Sequence, residues 1–114
     1  VSLTRALTSV GLAALAAVGF ALPAAAAPTA NQGVFTADGV KIRTCAATTC
    51  TGKGSGYKGQ SVTVYCYKYG TAPGPGFNEV WFSVRDNATG VSGFAHSGGP
   101  DQRYFTGTAG VPQC

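Results

Sequence analysis

The chain has little with which to do acid–base or metal chemistry. Its 114 residues include one histidine, four acidic residues and no methionine. The acids Asp38, Glu79, Asp86 and Asp101 stand apart, with no paired carboxylates and no calcium-loop spacing among them. His96 precedes Ser97, but neighbours on a strand point to opposite faces, so the two do not form a nucleophile and its base. The cations are scattered: no stretch of three residues holds more than two, Lys41 and Arg43 being such a pair. That scatter excludes the basic stripe a nucleic-acid binder needs. Beyond residue 26 no helical period is visible, so no glycine-rich phosphate loop opens a helix. The reading is of a non-enzyme with no catalytic residues, no cofactor and no nucleic-acid partner.

The one long apolar run lies at the N-terminus. Arg5 is the only charge before Asp38, residues 6–22 are apolar, and Pro23 and Ala24 to Ala27 follow. A cation, an apolar stretch and small residues in that order are the layout of an export signal, with cleavage expected after Ala26. The run falls short of the roughly 20 strongly apolar residues of a membrane span. The expected product is therefore secreted, with no membrane attachment once residues 1–26 are removed. It would keep 114 − 26 = 88 residues, with seven of the eight cations and all four acids, a net charge of +3. Residues 27–37 read as a flexible leader and 38–114 as a single domain, expected to be monomeric.

All four cysteines, Cys45, Cys50, Cys66 and Cys114, fall in that exported part. An even count in a short secreted chain argues for disulfides. Of three possible pairings, Cys45–Cys50 with Cys66–Cys114 is favoured: the first pins a tight loop and the second ties a strand to the end of the chain. The C-x4-C spacing with two distant cysteines and one histidine does not suit zinc, so no metal site is expected. Neither does it suit a C-x-x-C redox centre.

From residue 34 onward the text alternates strands and turns. Residues 40–43 form the first strand candidate, with Val40 and Ile42 on one face and Lys41 and Arg43 on the other. A threonine- and glycine-rich loop follows over 44–55. The clearest strand is 61–69, where alternation places Val62, Val64 and Cys66 on one side and Thr63, Tyr65, Tyr67 and Tyr69 on the other. A proline- and glycine-rich loop spans 70–78. Strands at 80–85 and 91–96 flank the turn 86–90, where Asn87-Ala88-Thr89 is better read as turn sequence than as a glycosylation site. Short strands at this spacing predict an all-β barrel or sandwich.

Four segments in order narrow this reading: GVKIR at 39–43, KGQSVTV at 58–64, WFSV at 81–84 and GVSGFAH at 90–96. Together they resemble the bacterial SH3-type (SH3b) domain, and in particular the stand-alone, cysteine-containing versions secreted by actinobacteria. The resemblance covers about residues 38–97. It departs after the first strand, where Cys45, Ala46 and Ala47 replace the usual Gly-Pro-Ser stretch, and in the tail after Ser97. It implies a small SH3-like barrel that binds cell-wall peptidoglycan or other peptides. Tyr65, Tyr67, Tyr69 and Trp81 are then the candidate ligand-binding residues, since exposed aromatics anchor recognition. For each there is a packing alternative, the tyrosines under the tail or the 70–78 loop and Trp81 in the core. The other functional class is a small secreted effector or inhibitor that uses the barrel as scaffold to bind a protein. A protruding tail, 98–114, would favour it.

Overall fold

The sheet is built from the segments whose apolar residues alternate. The structure is a computed structural model that describes residues 30–114. The expected export signal, residues 1–26, and the first residues of the leader lie outside the described residues. Six strands follow in order: β1 (Asn31–Val34), β2 (Val40–Arg43), β3 (Gly52–Gly56), β4 (Ser61–Tyr69), β5 (Val80–Asp86) and β6 (Ser92–His96). They form one antiparallel sheet in the order β1-β4-β5-β6-β2-β3, and the described residues include no helix. Hydrogen bonding does not close the sheet, so β1 and β3 are its edges.

The inner face carries Val40 and Ile42 of β2, Val62 and Val64 of β4, Phe82 and Val84 of β5, and Ala95 of β6. Phe35, Phe105 and Val111, from outside the strands, complete this core. The rings of Phe35 and Phe105 meet edge-on at 5.9 Å, and those of Phe82 and Phe105 at 6.0 Å. Phe35 also brings the two edges of the sheet together. Its ring lies so close to Gly56 on β3 that a side chain there would overlap it, and its main chain bonds to Gly59 and Gln60. Among the described residues one polar side chain is fully enclosed: Asp86, whose Oδ1 accepts the Ala88 amide at 2.9 Å and whose Oδ2 has no partner among them.

Three expectations need correction. Residues 31–34 are not a flexible leader but an edge strand, because β1 pairs with Ser61 to Val64 and delivers Phe35 to the core. The loop expected over 44–55 contains β3, whose sequence GKGSG has no apolar alternation to betray it. On β4 the alternation is broken by a bulge: Val64 pairs with Val84 and Cys66 with Ser83, leaving Tyr65 as the extra residue. Beyond it the faces exchange. Tyr67 lies opposite Phe82 and packs on the core, while Cys66 turns outward beside Ser83.

The bulge marks where β4 changes neighbours. Its first half pairs with β1; its second half takes the C-terminal segment, through Tyr67 N–H to Pro112 O at 2.9 Å and Cys114 N–H to Tyr67 O at 2.8 Å. Both expected disulfides are present, Cys45–Cys50 and Cys66–Cys114. The second fastens that segment one residue from its hydrogen bonds. With Phe105 and Val111 buried, the tail lies along the sheet and does not protrude.

Candidate functional site

The outer face of β5 and β6 carries a second, smaller packed cluster. Trp81 lies opposite His96 in the β5–β6 ladder, and both point away from the main core because their neighbours Phe82 and Ala95 point into it. Trp81 is nonetheless only 2% exposed, because the loop 70–79 folds over it. Gly70 N–H to Glu79 O closes that loop at 2.7 Å, and Trp81 Nε1–H donates to Thr71 O at 2.9 Å. Thr71 N–H bonds Ala46 O at 3.0 Å, which ties the loop to the one pinned by Cys45–Cys50.

His96 is the joint of this cluster. Its ring stands edge-on to Trp81 at 5.4 Å and to Phe77 at 5.6 Å. Nε2 lies 2.9 Å from Asn78 O and 3.0 Å from Asn78 Oδ1, both acceptors, while Nδ1 accepts the Gly98 amide at 3.2 Å. The pattern fixes the neutral tautomer with its proton on Nε2. Burial holds the imidazole below its ordinary pKa, against the opposing effect of its backbone bonds at Asn78 and Gly98. Both nitrogens are thus engaged by the chain itself.

Beside this cluster a cleft of about 470 Å³ opens where β2 and β6 part company. Half-buried Phe77 and Tyr104 supply its aromatic surface, with Pro73 from the 70–79 loop; Trp81 and His96 also line it but are themselves buried. Lys41 and Arg43 line it from β2, Asp38 from the turn before β2, and Thr48 from the disulfide loop. The Asp38 carboxylate accepts the Lys58 amide at 3.0 Å, and Arg43 Nη1 donates to the Cys50 carbonyl at 3.0 Å. The disulfide loop therefore positions the guanidinium through a neutral acceptor, which leaves its charge uncompensated by that contact.

Of the four aromatic candidates, Trp81 lines this cleft and the tyrosines do not. Tyr65, at the bulge, is 42% exposed and Tyr69 is 61% exposed. Tyr67 is half-buried, with its ring edge-on to Tyr69 at 5.9 Å. The bulge is the reason the expected stripe is divided. Lys41 and Arg43 were legible as an outward pair from their alternation with Val40 and Ile42. Phe77 and Tyr104 come from loops, where no period points to them.

No known protein family, curated protein or solved structure matches the chain.

Proposed function

We propose that the protein is exported and acts outside the cell as a non-enzymatic binding module, taking cell-wall peptide or another peptide in the cleft between β2 and β6. The observation that carries this reading is the cleft itself, where aromatic residues stand beside two cations, Lys41 and Arg43, and one acid, Asp38. Its walls are preformed, because Trp81, His96 and the 70–79 loop are fixed by hydrogen bonds before any ligand arrives. Two disulfides in so short a chain favour an oxidising compartment. The contact of Phe35 with Gly56 across the open side of the sheet supports an SH3-like barrel as the fold type. A packed tail offers no protruding loop for the effector reading.

Co-sedimentation tests it. Disulfide-bonded protein recovered from culture medium is expected to pellet with purified peptidoglycan at low salt. Lys41→Glu, an exposed change on the cleft wall, is expected to lower the bound fraction several-fold. Absence of pelleting with sacculi of differing cross-link chemistry, or equal pelleting of the variant, removes this assignment.

A further inference from the structure

The sheet gathers charges that the sequence keeps apart. On β5, Phe82 and Val84 point into the core, so Trp81, Ser83 and Arg85 point out. On β6, Ala95 points in and Phe94 out; on β2, Val40 and Ile42 point in and Lys41 and Arg43 out. Past the bulge on β4, Tyr67 packs on the core and leaves Cys66 and Lys68 outward. Four of the seven cations among residues 30–114, Lys41, Arg43, Lys68 and Arg85, thus share one face. Among the described strands no acid holds an outward position there. Asp86 is buried inward, Asp38 precedes β2 and lines the cleft beside Lys41, Glu79 precedes β5, and Asp101 lies in the tail.

Phe94 is the centre of this face. It pairs with Ser83 on β5 and with Arg43 on β2. Ser83 is small, and Lys68 leans across it from β4: the ammonium lies 5.3 Å from the centre of the Phe94 ring. Arg43 stands on the other side of Phe94, its guanidinium steadied by the Cys50 carbonyl. A half-buried aromatic ring therefore has a cation on either side. Neither Lys68 nor Phe94 lines the cleft, so this is a separate surface that meets the cleft at Lys41 and Arg43.

The spacing of the charges selects their counterpart. In the order of the sheet, β4 and β2 are three strand spacings apart, about 14 Å. Residues two apart on one strand, such as Lys41 and Arg43, are separated by about 7 Å. An extended polypeptide of acids carries a charge every ~3.5 Å, and a DNA strand one every ~3.4 Å. Most of those charges would find no cation here, whereas a sparser polyanion matches the face. Its uncharged unit must rest against Phe94 with an anion at each end, which puts the charge in the linkages between units and not on side groups. Phosphodiester links between sugar or polyol units meet both conditions, and the C–H edges of such units pack on an aromatic ring.

We propose that the outer face around Phe94 binds a linear polymer of phosphodiester-linked sugar or polyol units, with Lys68 and Arg43 receiving successive phosphates and Phe94 the unit between them. This goes beyond peptide binding in the cleft and stands without it.

The probe is lipid-free poly(glycerol phosphate), titrated into disulfide-bonded protein at low salt and followed by amide NMR. The Lys68, Ser83 and Phe94 amides are expected to shift, and binding is expected to weaken with added salt. Two other polymers are compared at equal total charge: hyaluronate, whose sparse carboxylates hang beside its backbone, and polyglutamate, whose charges are dense. Each is expected to bind less tightly by about threefold or more. These comparisons use the unaltered protein, so they do not depend on a variant folding. Lys68→Gln is expected to weaken binding of the phosphate polymer by about threefold or more. Lys58→Gln, an equal loss of charge at an exposed turn position after β3, is expected to leave it nearly unchanged. Equal losses in the two variants would reduce the effect to net charge and overturn the inference. Unmoved Ser83 and Phe94 amides, or equal binding of either comparison polymer, would overturn it as well.

Discussion

At the scale of single residues, His96 shows how a lone histidine can be structural without being inert to pH. Its two nitrogens serve opposite purposes, one donating to Asn78 and one accepting from Gly98. Protonation puts a second N–H against the Gly98 amide and adds a charge between two aromatic rings. Unfolded, the ring titrates near its ordinary 6.5; folded, burial holds it lower. Between those two values the unfolded chain binds the extra proton, so stability falls as pH drops from above 6.5 and levels off below the folded value. The thermal midpoint is therefore expected to decrease from about pH 7.5 to about pH 5, above the range where carboxylates titrate. His96→Gln is expected to flatten that dependence while lowering the midpoint at neutral pH. Circular dichroism melts across the range check both. An unchanged slope in the variant would assign the dependence to other groups.

At the scale of elements, the two disulfides do different work. Cys66–Cys114 closes a loop with a sequence separation of 48 and fastens the tail to the second half of β4. By loop-closure entropy its removal in a Cys66→Ala, Cys114→Ala variant is expected to cost about 4 kcal/mol. Cys45–Cys50 closes a separation of only 5, and its removal is expected to cost about 2 kcal/mol. Urea denaturation of the two double variants gives the comparison; equal losses would contradict this division of roles. The short bridge acts more on the site, since the loop it pins presents Ala46 O to Thr71 and Cys50 O to Arg43.

The same scale shows what was legible in the sequence. Strands β2, β5 and β6 were readable because each is short, alternates inner with outer residues and ends at a turn signal. Both disulfides followed from loop length and the position of the tail. Strand β3 was not readable because GKGSG earns its place by pairing with β2 and by yielding space to Phe35 and Val91, not by burying side chains of its own. The bulge at Tyr65 was hidden too. Val-Thr-Val-Tyr-Cys-Tyr alternates without a break, and only the change of neighbour from β1 to the C-terminal segment calls for an extra residue. The cleft was half visible: Trp81 and the Lys41–Arg43 pair could be found, but the parting of β2 from β6 is a property of the assembled sheet.

At the scale of the whole molecule, the domain begins earlier than the motif-bearing region. Residues 31–37 contribute an edge strand together with Phe35 and Ala37 of the core. Loss of Phe35 alone removes a fully buried aromatic, a change costing about 3–5 kcal/mol, against a total stability of about 5–15 kcal/mol for a typical domain. A chain of residues 30–114 is expected to unfold cooperatively on heating, and one of residues 38–114 to lose that cooperativity. Calorimetry of the two fragments decides it. A sharp transition in the shorter one would restore the later boundary.

The edge-to-face meeting of Phe35 with Phe105 joins positions near the two extremities of the described sequence. A nascent thread that has not yet yielded Phe105 lacks the partner around which its first aromatic settles. Assembly is thereby deferred until nearly the entire domain has emerged, and a long-range contact of this kind makes for slow folding.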